Sequence, residues 1–269
     1  HGVRFVKGSH IVVPRLFEHD YPYIFQHTDG RVLFAIPFEK HYTLLGTTDI
    51  ELDELPSNVA ITRNEIDYIC NAISEYFKQP IKPEQVIWSF SGVRPLYDDA
   101  ASNASKVTRD YNLHLDKEQA PILSIYGGKI TAFRKLAEEV MDLLSECIKI
   151  EGSAWTAESH LPGGDITNYD FKGFIKDCTN RYPWMNKSLL ESYAGHYGTG
   201  VHTLLKGCAS EADLGRHFGG QLYEKEACYL KQYEYAESAD DILWRRTKRG
   251  LRLSTDEIKQ FSTWLKGSH

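Results

Sequence analysis

The feature that most constrains this chain is a strand-to-helix turn on two adjacent glycines, within residues 121–148. A short apolar run, Ile122–Ile125, ends at Gly127-Gly128, and apolar residues then recur at helical spacing of three and four. This arrangement lets a ligand approach the backbone closely and face helix N–H groups, and Lys129 adds a positive charge suited to an anion. The same pattern also forms tight packing turns without any ligand, and spacing alone leaves both alternatives open.

Length and composition indicate a globular protein of about two domains. The chain has 269 residues, 42% of them hydrophobic and 25% charged, against roughly 150 residues for an average domain. The net charge of −6 argues against non-specific nucleic-acid binding. Five scattered cysteines without a CxxC pair predict neither disulfides nor a zinc site and favour a reducing, cytoplasmic location. We expect no signal peptide and no bilayer-spanning segment, although peripheral contact with the inner face of the cell membrane stays an alternative.

The first region, residues 1–120, is predicted to form a mainly antiparallel sheet with one helix. Turn signals at Asp29-Gly30 and at Glu39-Lys40 separate runs of strand character. Those runs include Val12, Val32–Ile36, Tyr42–Leu45 and Val86–Phe90. Thr62 and Glu65 have the spacing of a capping box, which predicts a helix starting there.

Two predicted strands carry an arginine on their apolar face. Side chains alternate across a strand, so Arg94 shares a face with Trp88 and Phe90, and Arg109 shares one with Val107. An inward guanidinium is costly without an anionic partner. One such arginine usually forms an internal salt bridge, whereas two favour a ligand phosphate or carboxylate. A proline directly after Arg94 predicts that the strand ends there, at the rim of the sheet.

His10 belongs to the same argument. It shares a strand face with Gly8 and Val12, next to a position where another group can approach. A single histidine on an apolar face is more often a satisfied core residue, but a histidine that is neutral near physiological pH also suits a general base. The segment Gly46–Asp49 is predicted to be a polar turn after a strand.

The last region, residues 151–269, has a helical pattern. Apolar residues at helical spacing predict helices around Phe174, Leu190 and Leu230, and Ser254 with Glu257 predicts a capping box for a final helix. A small basic cluster follows Trp244 and comprises Arg245, Arg246, Lys248 and Arg249. It is consistent with a solvated face, with a contact to acidic lipids, or with an anchor for Asp240 and Asp241.

A series of ordered motifs carries a family resemblance. The motifs are Lys7–Arg15, Leu45–Asp49, Ser91–Leu96, Thr108–Tyr111, Tyr126–Thr131 and Asp240–Gly250. Together they resemble the FAD-dependent, aerobic type of glycerol-3-phosphate dehydrogenase. The likeness covers nearly the whole chain and corresponds to the later half of such an enzyme. It implies an α+β fold with a substrate sheet at residues 1–120, the closing strand and helix of a flavin domain at 121–150, and a helical domain at 151–269.

The resemblance also implies a substrate site. Arg94 and Arg109 match arginines that hold the phosphate of glycerol 3-phosphate, and His10 matches a histidine facing the reactive carbon. In such enzymes C2–H delivers a hydride to the flavin while a base removes the hydroxyl proton, giving dihydroxyacetone phosphate. The identity of the base stays open, with His10 preferred for its pKa.

The cofactor implied is FAD, placed against the diglycine turn. The matching positions are Gly127, Gly128, Lys129, Ile130 and Thr131. Lys129 would also serve catalysis and substrate binding, since its charge favours the reduced ring. Electrons would then pass to quinone at a membrane surface, although oxygen stays an alternative acceptor. The oligomeric state is open, with a homodimer among the alternatives.

One departure limits what this chain can do alone. The dinucleotide fingerprint Gly-x-Gly-x-x-Gly is absent and would lie upstream. We therefore expect a segment of a longer protein that holds FAD weakly or not at all and is inactive alone. Its Ile122–Ile125 strand should pair with another chain or be covered by a rearranged segment. The helix after Thr131 should pack its Phe133–Val140 face against the substrate sheet or the C-terminal helices. The alternatives are a related amine or amino-acid oxidase, and a non-enzymatic module that binds a partner or a membrane.

Overall fold

The structure is a computed structural model that describes residues 2–98 and 110–267. The chain divides into two compact units, His1–Ala157 and Glu158–His269. The first unit contains most of the strands and the second most of the helices, so the predicted α+β class is confirmed. The finer division at residues 120 and 150 stays a prediction.

A mainly antiparallel sheet in the first unit is organised around its longest strand. Its strands are β1 (Val3–Pro14), β2 (Tyr23–Gln26), β3 (Val32–Phe38), β4 (Tyr42–Gly46), β5 (Ile50–Leu52) and β6 (Trp88–Tyr97). The strand order is β2-β3-β4-β1-β5, and β6 also pairs with β1. The turns predicted at Asp29-Gly30 and Glu39-Lys40 lie between β2 and β3 and between β3 and β4, which confirms both. The central strand β1 carries His10, and it pairs with β6, which carries Arg94.

Helix α1 (Arg63–Ser74) covers one face of this sheet. Both hydrogen bonds of the predicted capping box are present at Thr62 and Glu65. Residues of α1 and the sheet form a buried apolar cluster that includes Ile11, Val13, Leu33, Leu45, Ile69 and Ile73. Because side chains alternate along β1, the odd-numbered Ile11 and Val13 face α1, and the even-numbered Gly8 and His10 lie on the other face.

The expected end of β6 at Arg94 is wrong. The strand continues to Tyr97, and Pro95 lies opposite Phe5 of β1. Among the described strands β6 pairs only with β1. A strand at the edge of a sheet has one side without ladder hydrogen bonds, so it tolerates proline, which has no N–H to donate.

The predicted strand and helix around the diglycine turn are both present. Strands β7 (Tyr111–Asp116) and β8 (Ile122–Gly127) form an antiparallel hairpin, followed by a 3₁₀ turn at Ile130–Ala132 and helix α2 (Phe133–Leu144). The partner of β8 is therefore a strand of the same chain. No residue of α2 is buried, and Phe133 is 53% exposed. Helix α2 packs on β7, with Leu136 and Val140 half-buried, so its Phe133–Val140 face is covered only in part.

The second unit is mainly helical. Its helices are α3 (Phe171–Arg181), α4 (Lys187–Tyr197), α5 (Val201–Leu204), α6 (Glu224–Tyr233) and α7 (Thr255–Gly267). The predicted helices correspond to α3, α4, α6 and α7, and the Ser254 capping contacts are present. A short hairpin, β9 (His217–Gly219) and β10 (Leu222–Tyr223), and a π-helix at Asp241–Arg246 were not predicted.

The basic cluster after Trp244 is tied to acidic residues of its own unit. Arg245 contacts Asp241 at 2.8 Å, and Arg249 is buried in a bidentate pair with Glu226 at 2.7 and 2.8 Å. Of the three alternatives for this cluster, the structure therefore supports the intramolecular anchor, with Arg245 holding Asp241. Within the described residues, no helix is both long and apolar enough to cross a membrane.

Candidate functional site

His10 lies in the middle of the sheet face that is turned away from α1. In the strand register it is opposite Gly46 of β4 and Phe90 of β6. Its ring stacks on Phe90 with 5.1 Å between centroids and an interplanar angle of 9°. A Cβ at Gly46 would overlap the His10 ring, so the glycine provides the space that the imidazole occupies. The strand pairing therefore fixes the ring between an aromatic side chain and a glycine.

The surroundings of His10 keep its imidazole neutral. Burial is the larger cause, followed by the positive charge of Arg94, and both lower the pKa of His10 below its ordinary value. Its Nδ1 atom is buried without a hydrogen-bond partner among the described residues. A neutral imidazole can accept a proton at whichever of its two ring nitrogens is unprotonated, which is the property that a general base requires.

Arg94 lies on the same face and has an anionic partner within the chain. Its Nη1 donates to Asp49 Oδ1 at 2.7 Å and its Nη2 donates to Thr47 Oγ1 at 3.3 Å. The guanidinium lies directly above Gly8, where an added Cβ would be 2.5 Å from Nη2. Arg94 lies on the face predicted from strand alternation. The anionic partner found within the chain is Asp49, which is the internal salt bridge weighed against a ligand anion. Because guanidinium has five N–H donors and the side chain is 30% exposed, donors remain for a further anion.

The diglycine turn packs against the end of the strand that carries Arg94. Gly127 and Gly128 have φ values of +71° and +98°, which other residues rarely adopt. A Cβ at Gly127 would lie 3.0 Å from the backbone nitrogen of Tyr97, three residues after Arg94. The close approach that requires glycine here is to the chain itself, and it places the turn beside β6.

The side chains after the diglycine are largely open to solvent. Lys129 Nζ is 3.8 Å from an Asp110 carboxylate oxygen, and the Lys129 side chain is 54% exposed. Ile130 is 89% exposed, and Thr131 is also exposed. The contact with FAD expected at Lys129, Ile130 and Thr131 stays a prediction. Arg109 lies outside the described residues, so its convergence with Arg94 stays a prediction.

A buried polar network supports the site from the α1 side. Glu65 accepts hydrogen bonds from Lys7 Nζ at 2.8 Å, Ser9 Oγ at 2.7 Å and Thr48 Oγ1 at 2.9 Å. Burial raises the pKa of Glu65, but the hydrogen bonds from Lys7, Ser9 and Thr62 outweigh it and lower the pKa to about 2. Sequence reasoning identified Glu65 only as a capping residue. The signal for more was two polar residues, Lys7 and Ser9, on the core face of β1.

A separate open cleft of about 770 Å³ lies in the second unit. Its lining includes His160, Asp165, Thr199, His202 and Tyr229. None of the predicted site residues lines it, because those within the described ranges all belong to the first unit. The site proposed from the sequence is therefore a shallow face of the sheet in this chain, and it is distinct from that cleft.

Comparison with known families assigns both units. Residues 1–134 match the family described as FAD dependent oxidoreductase, and residues 154–260 match the C-terminal domain of alpha-glycerophosphate oxidase. The solved structure of a glycerol-3-phosphate dehydrogenase from Bacillus halodurans, complexed with FAD, has a fold similar to that of this chain. The TM-score is 0.72 at 22% identity, covering 99% of this chain and 57% of that one.

Three curated relatives extend over nearly the whole chain. A glycerol-3-phosphate dehydrogenase of Pseudomonas aeruginosa is 42% identical over 271 residues, 100% of this chain and 53% of its own length. The aerobic glycerol-3-phosphate dehydrogenase of Escherichia coli is 42% identical, over 98% of this chain and 53% of its own length. A D-erythritol 1-phosphate dehydrogenase of Brucella abortus is 44% identical, covering 97% and 52%. The chain, which spans about half the length of the curated relatives it matches, therefore belongs to the FAD-dependent glycerol-3-phosphate dehydrogenase family.

Proposed function

We propose that the complete protein containing this chain oxidises the secondary hydroxyl of a phosphorylated polyol, with sn-glycerol 3-phosphate as the first candidate. The product would be dihydroxyacetone phosphate. The observation that carries the proposal is the pairing, on one sheet face, of a neutral His10 with a cationic Arg94. The first suits removal of a hydroxyl proton, and the second suits an anionic group a few bonds away.

His10 is the proton acceptor in this proposal. The substrate hydroxyl would donate its hydrogen bond to the imidazole, whose lowered pKa keeps it unprotonated at physiological pH. When the hydroxyl proton moves to the imidazole, the C2–H bond electrons leave with the hydrogen as hydride, and a C=O bond forms. Stacking on Phe90 restricts rotation of the ring, so the accepting nitrogen keeps its direction.

Arg94 is the phosphate ligand in this proposal. The N–H donors that Asp49 and Thr47 leave unused can make charge-assisted bonds to phosphate oxygens. Arg109 is expected to add a second guanidinium. Two arginines suit a dianionic phosphate better than a single carboxylate, which favours a phosphorylated polyol over an amino acid. The relative named for D-erythritol 1-phosphate supports stating the substrate as a class, with glycerol 3-phosphate as its first member.

Residues 127–131 are proposed to hold one edge of FAD. The turn beside β6 supplies backbone without side chains at Gly127 and Gly128, a cation at Lys129, and exposed contacts at Ile130 and Thr131. FAD supplies the hydride acceptor when it is bound. Lys129 would stabilise the negative charge that accompanies reduction. Quinone is proposed as the onward electron acceptor, with peripheral membrane contact.

The test is anaerobic reduction of the complete, FAD-loaded protein by a panel of substrates. We expect glycerol 3-phosphate to bleach the flavin absorbance, and glycerol, amino acids and amines to leave it unchanged at equal concentration. Faster bleaching by D-erythritol 1-phosphate than by glycerol 3-phosphate would make the former the preferred substrate, still within the class of phosphorylated polyols. Bleaching by an amino acid but by no phosphorylated polyol would contradict the proposal. Reoxidation by quinone faster than by oxygen would support the proposed acceptor.

A further inference from the structure

The segment between β4 and β5 holds the guanidinium of Arg94 from one side. Asp49 Oδ1 and Thr47 Oγ1 accept its two hydrogen bonds, at 2.7 and 3.3 Å. The Asp49 side chain is 22% exposed. Gly8 lies against the guanidinium in β1, without a side chain that would displace it. The direction of Arg94 is therefore set by this segment together with the strand beneath it.

The same segment is fixed from the other side by the Glu65 network. Thr48, between the two residues that hold Arg94, is 1% exposed and points to the opposite side. Its hydroxyl donates to Glu65 Oε1 at 2.9 Å and accepts from the backbone N–H of Ser9 at 3.0 Å. Thr47 and Asp49 bind Arg94 on one side of the segment, and Thr48 binds Glu65 and Ser9 on the other. The segment cannot shift without breaking buried hydrogen bonds, which is costly.

Glu65 also connects this segment to the strand that carries Arg94. Ser9 Oγ donates to Glu65 Oε1 at 2.7 Å and lies 2.8 Å from Ser91 Oγ of β6. Lys7 compensates the buried carboxylate with an ion pair at 2.8 Å. One carboxylate therefore binds Thr48 of the Thr47–Asp49 segment directly and is linked to β6 through the Ser9 hydroxyl.

We propose that Thr48 and Asp49, held by Glu65, are positioning residues that aim Arg94 at the anionic group of the substrate. The proposal rests on the function proposed above and deepens it, because it names what fixes the phosphate ligand. Asp49 has two effects of opposite sign. Its carboxylate repels a bound phosphate, but its ion pair keeps the guanidinium in one orientation. Preorganisation is the larger effect here because the pair is short and partly buried.

The Thr48 side chain offers a test that changes no charge. Thr48→Val removes the hydroxyl and keeps the shape, and Thr48→Ser keeps the hydroxyl and serves as the matched control. In the complete FAD-loaded protein we expect Thr48→Val to weaken binding of inorganic phosphate, measured by calorimetry, about tenfold. Thr48→Ser should stay within about twofold. With glycerol 3-phosphate, KM should rise for Thr48→Val while kcat changes little, since His10 is untouched.

Asp49→Asn is the second variant, and it does not depend on the folding of a buried substitution. We expect about tenfold weaker phosphate binding for it as well. Tighter phosphate binding would show that Asp49 only competes with the anion, and would overturn the proposal. Equal phosphate binding by Thr48→Val and wild type would overturn it too, as would a wild type that binds no phosphate. If wild type binds phosphate but oxidises no phosphorylated polyol, the proposed function fails and the positioning inference stands.

Discussion

Gly8→Ala is the substitution that most directly displaces Arg94 without touching its charge. A Cβ at Gly8 would lie 2.5 Å from Nη2, 2.7 Å from Nη1 and 2.8 Å from Cζ of Arg94. Ordinary contact begins near 3.4 Å, so the guanidinium has to move by about 0.9 Å. A shift of that size is large enough to misalign the 2.7 Å bond to Asp49. A displaced guanidinium would also lose a charge-assisted hydrogen bond to the phosphate. Such a bond contributes about 1.5–3 kcal/mol, so phosphate affinity should fall by roughly 10- to 100-fold.

The assay is the KM for glycerol 3-phosphate in the complete FAD-loaded protein, together with the thermal unfolding temperature. Gly92→Ala is the matched control, since Gly92 pairs directly with Gly8 and a Cβ there meets nothing within 4 Å. We expect a large KM rise for Gly8→Ala only, with a lower unfolding temperature for that variant because it weakens the bond between Arg94 and Asp49. For Gly92→Ala we expect little change in either quantity. A Gly8→Ala effect no larger than that of Gly92→Ala would refute this reasoning.

Two further predictions concern stability. The pKa of Glu65 is about 2 in the folded chain against an ordinary 4.5, so its stabilisation is present above about pH 4.5 and is lost as pH falls toward 2. In urea titrations, the loss of unfolding free energy between neutral pH and pH 2 should therefore be roughly 3 kcal/mol smaller for Glu65→Gln than for wild type. An equal loss in both proteins would contradict this prediction. Arg249→Met leaves Glu226 buried without its cationic partner, which should cost about 3–5 kcal/mol. Adding Glu226→Gln should recover much of that loss in a double-mutant cycle, and additive losses would show that the pair does not interact as the geometry requires.

Strand alternation was sufficient to place Arg94 and His10, but it could not identify their partners. The Arg94 and Asp49 side chains meet across 45 residues of sequence, and that meeting depends on how β4, β5 and β6 pair with β1. Registers of this kind follow from turn geometry and from the whole buried face, and no local pattern specifies them. Lys7 and Ser9 on the core face of β1 indicate a buried polar partner, but the sequence does not identify that partner as Glu65.

Local rules worked best where one short segment determines the result. The capping boxes at Thr62 and Ser254 depend on four consecutive residues, and both formed as predicted. The proline rule failed at Pro95 because its outcome depends on whether a strand lies at an edge, which is a property of the sheet. The packing of α2 could not be predicted either, since its apolar period specifies a face to be covered but not the element that covers it.

The central claim is that Arg94 recognises the phosphate group of the substrate. The most direct test is the ratio of kcat/KM for glycerol 3-phosphate to kcat/KM for glycerol, compared between wild type and Arg94→Met in the complete FAD-loaded protein. If Arg94 binds phosphate, the ratio should fall by about 100-fold, with the flavin content unchanged. Loss of activity toward both substrates by the same factor would leave the ratio constant and would contradict the claim.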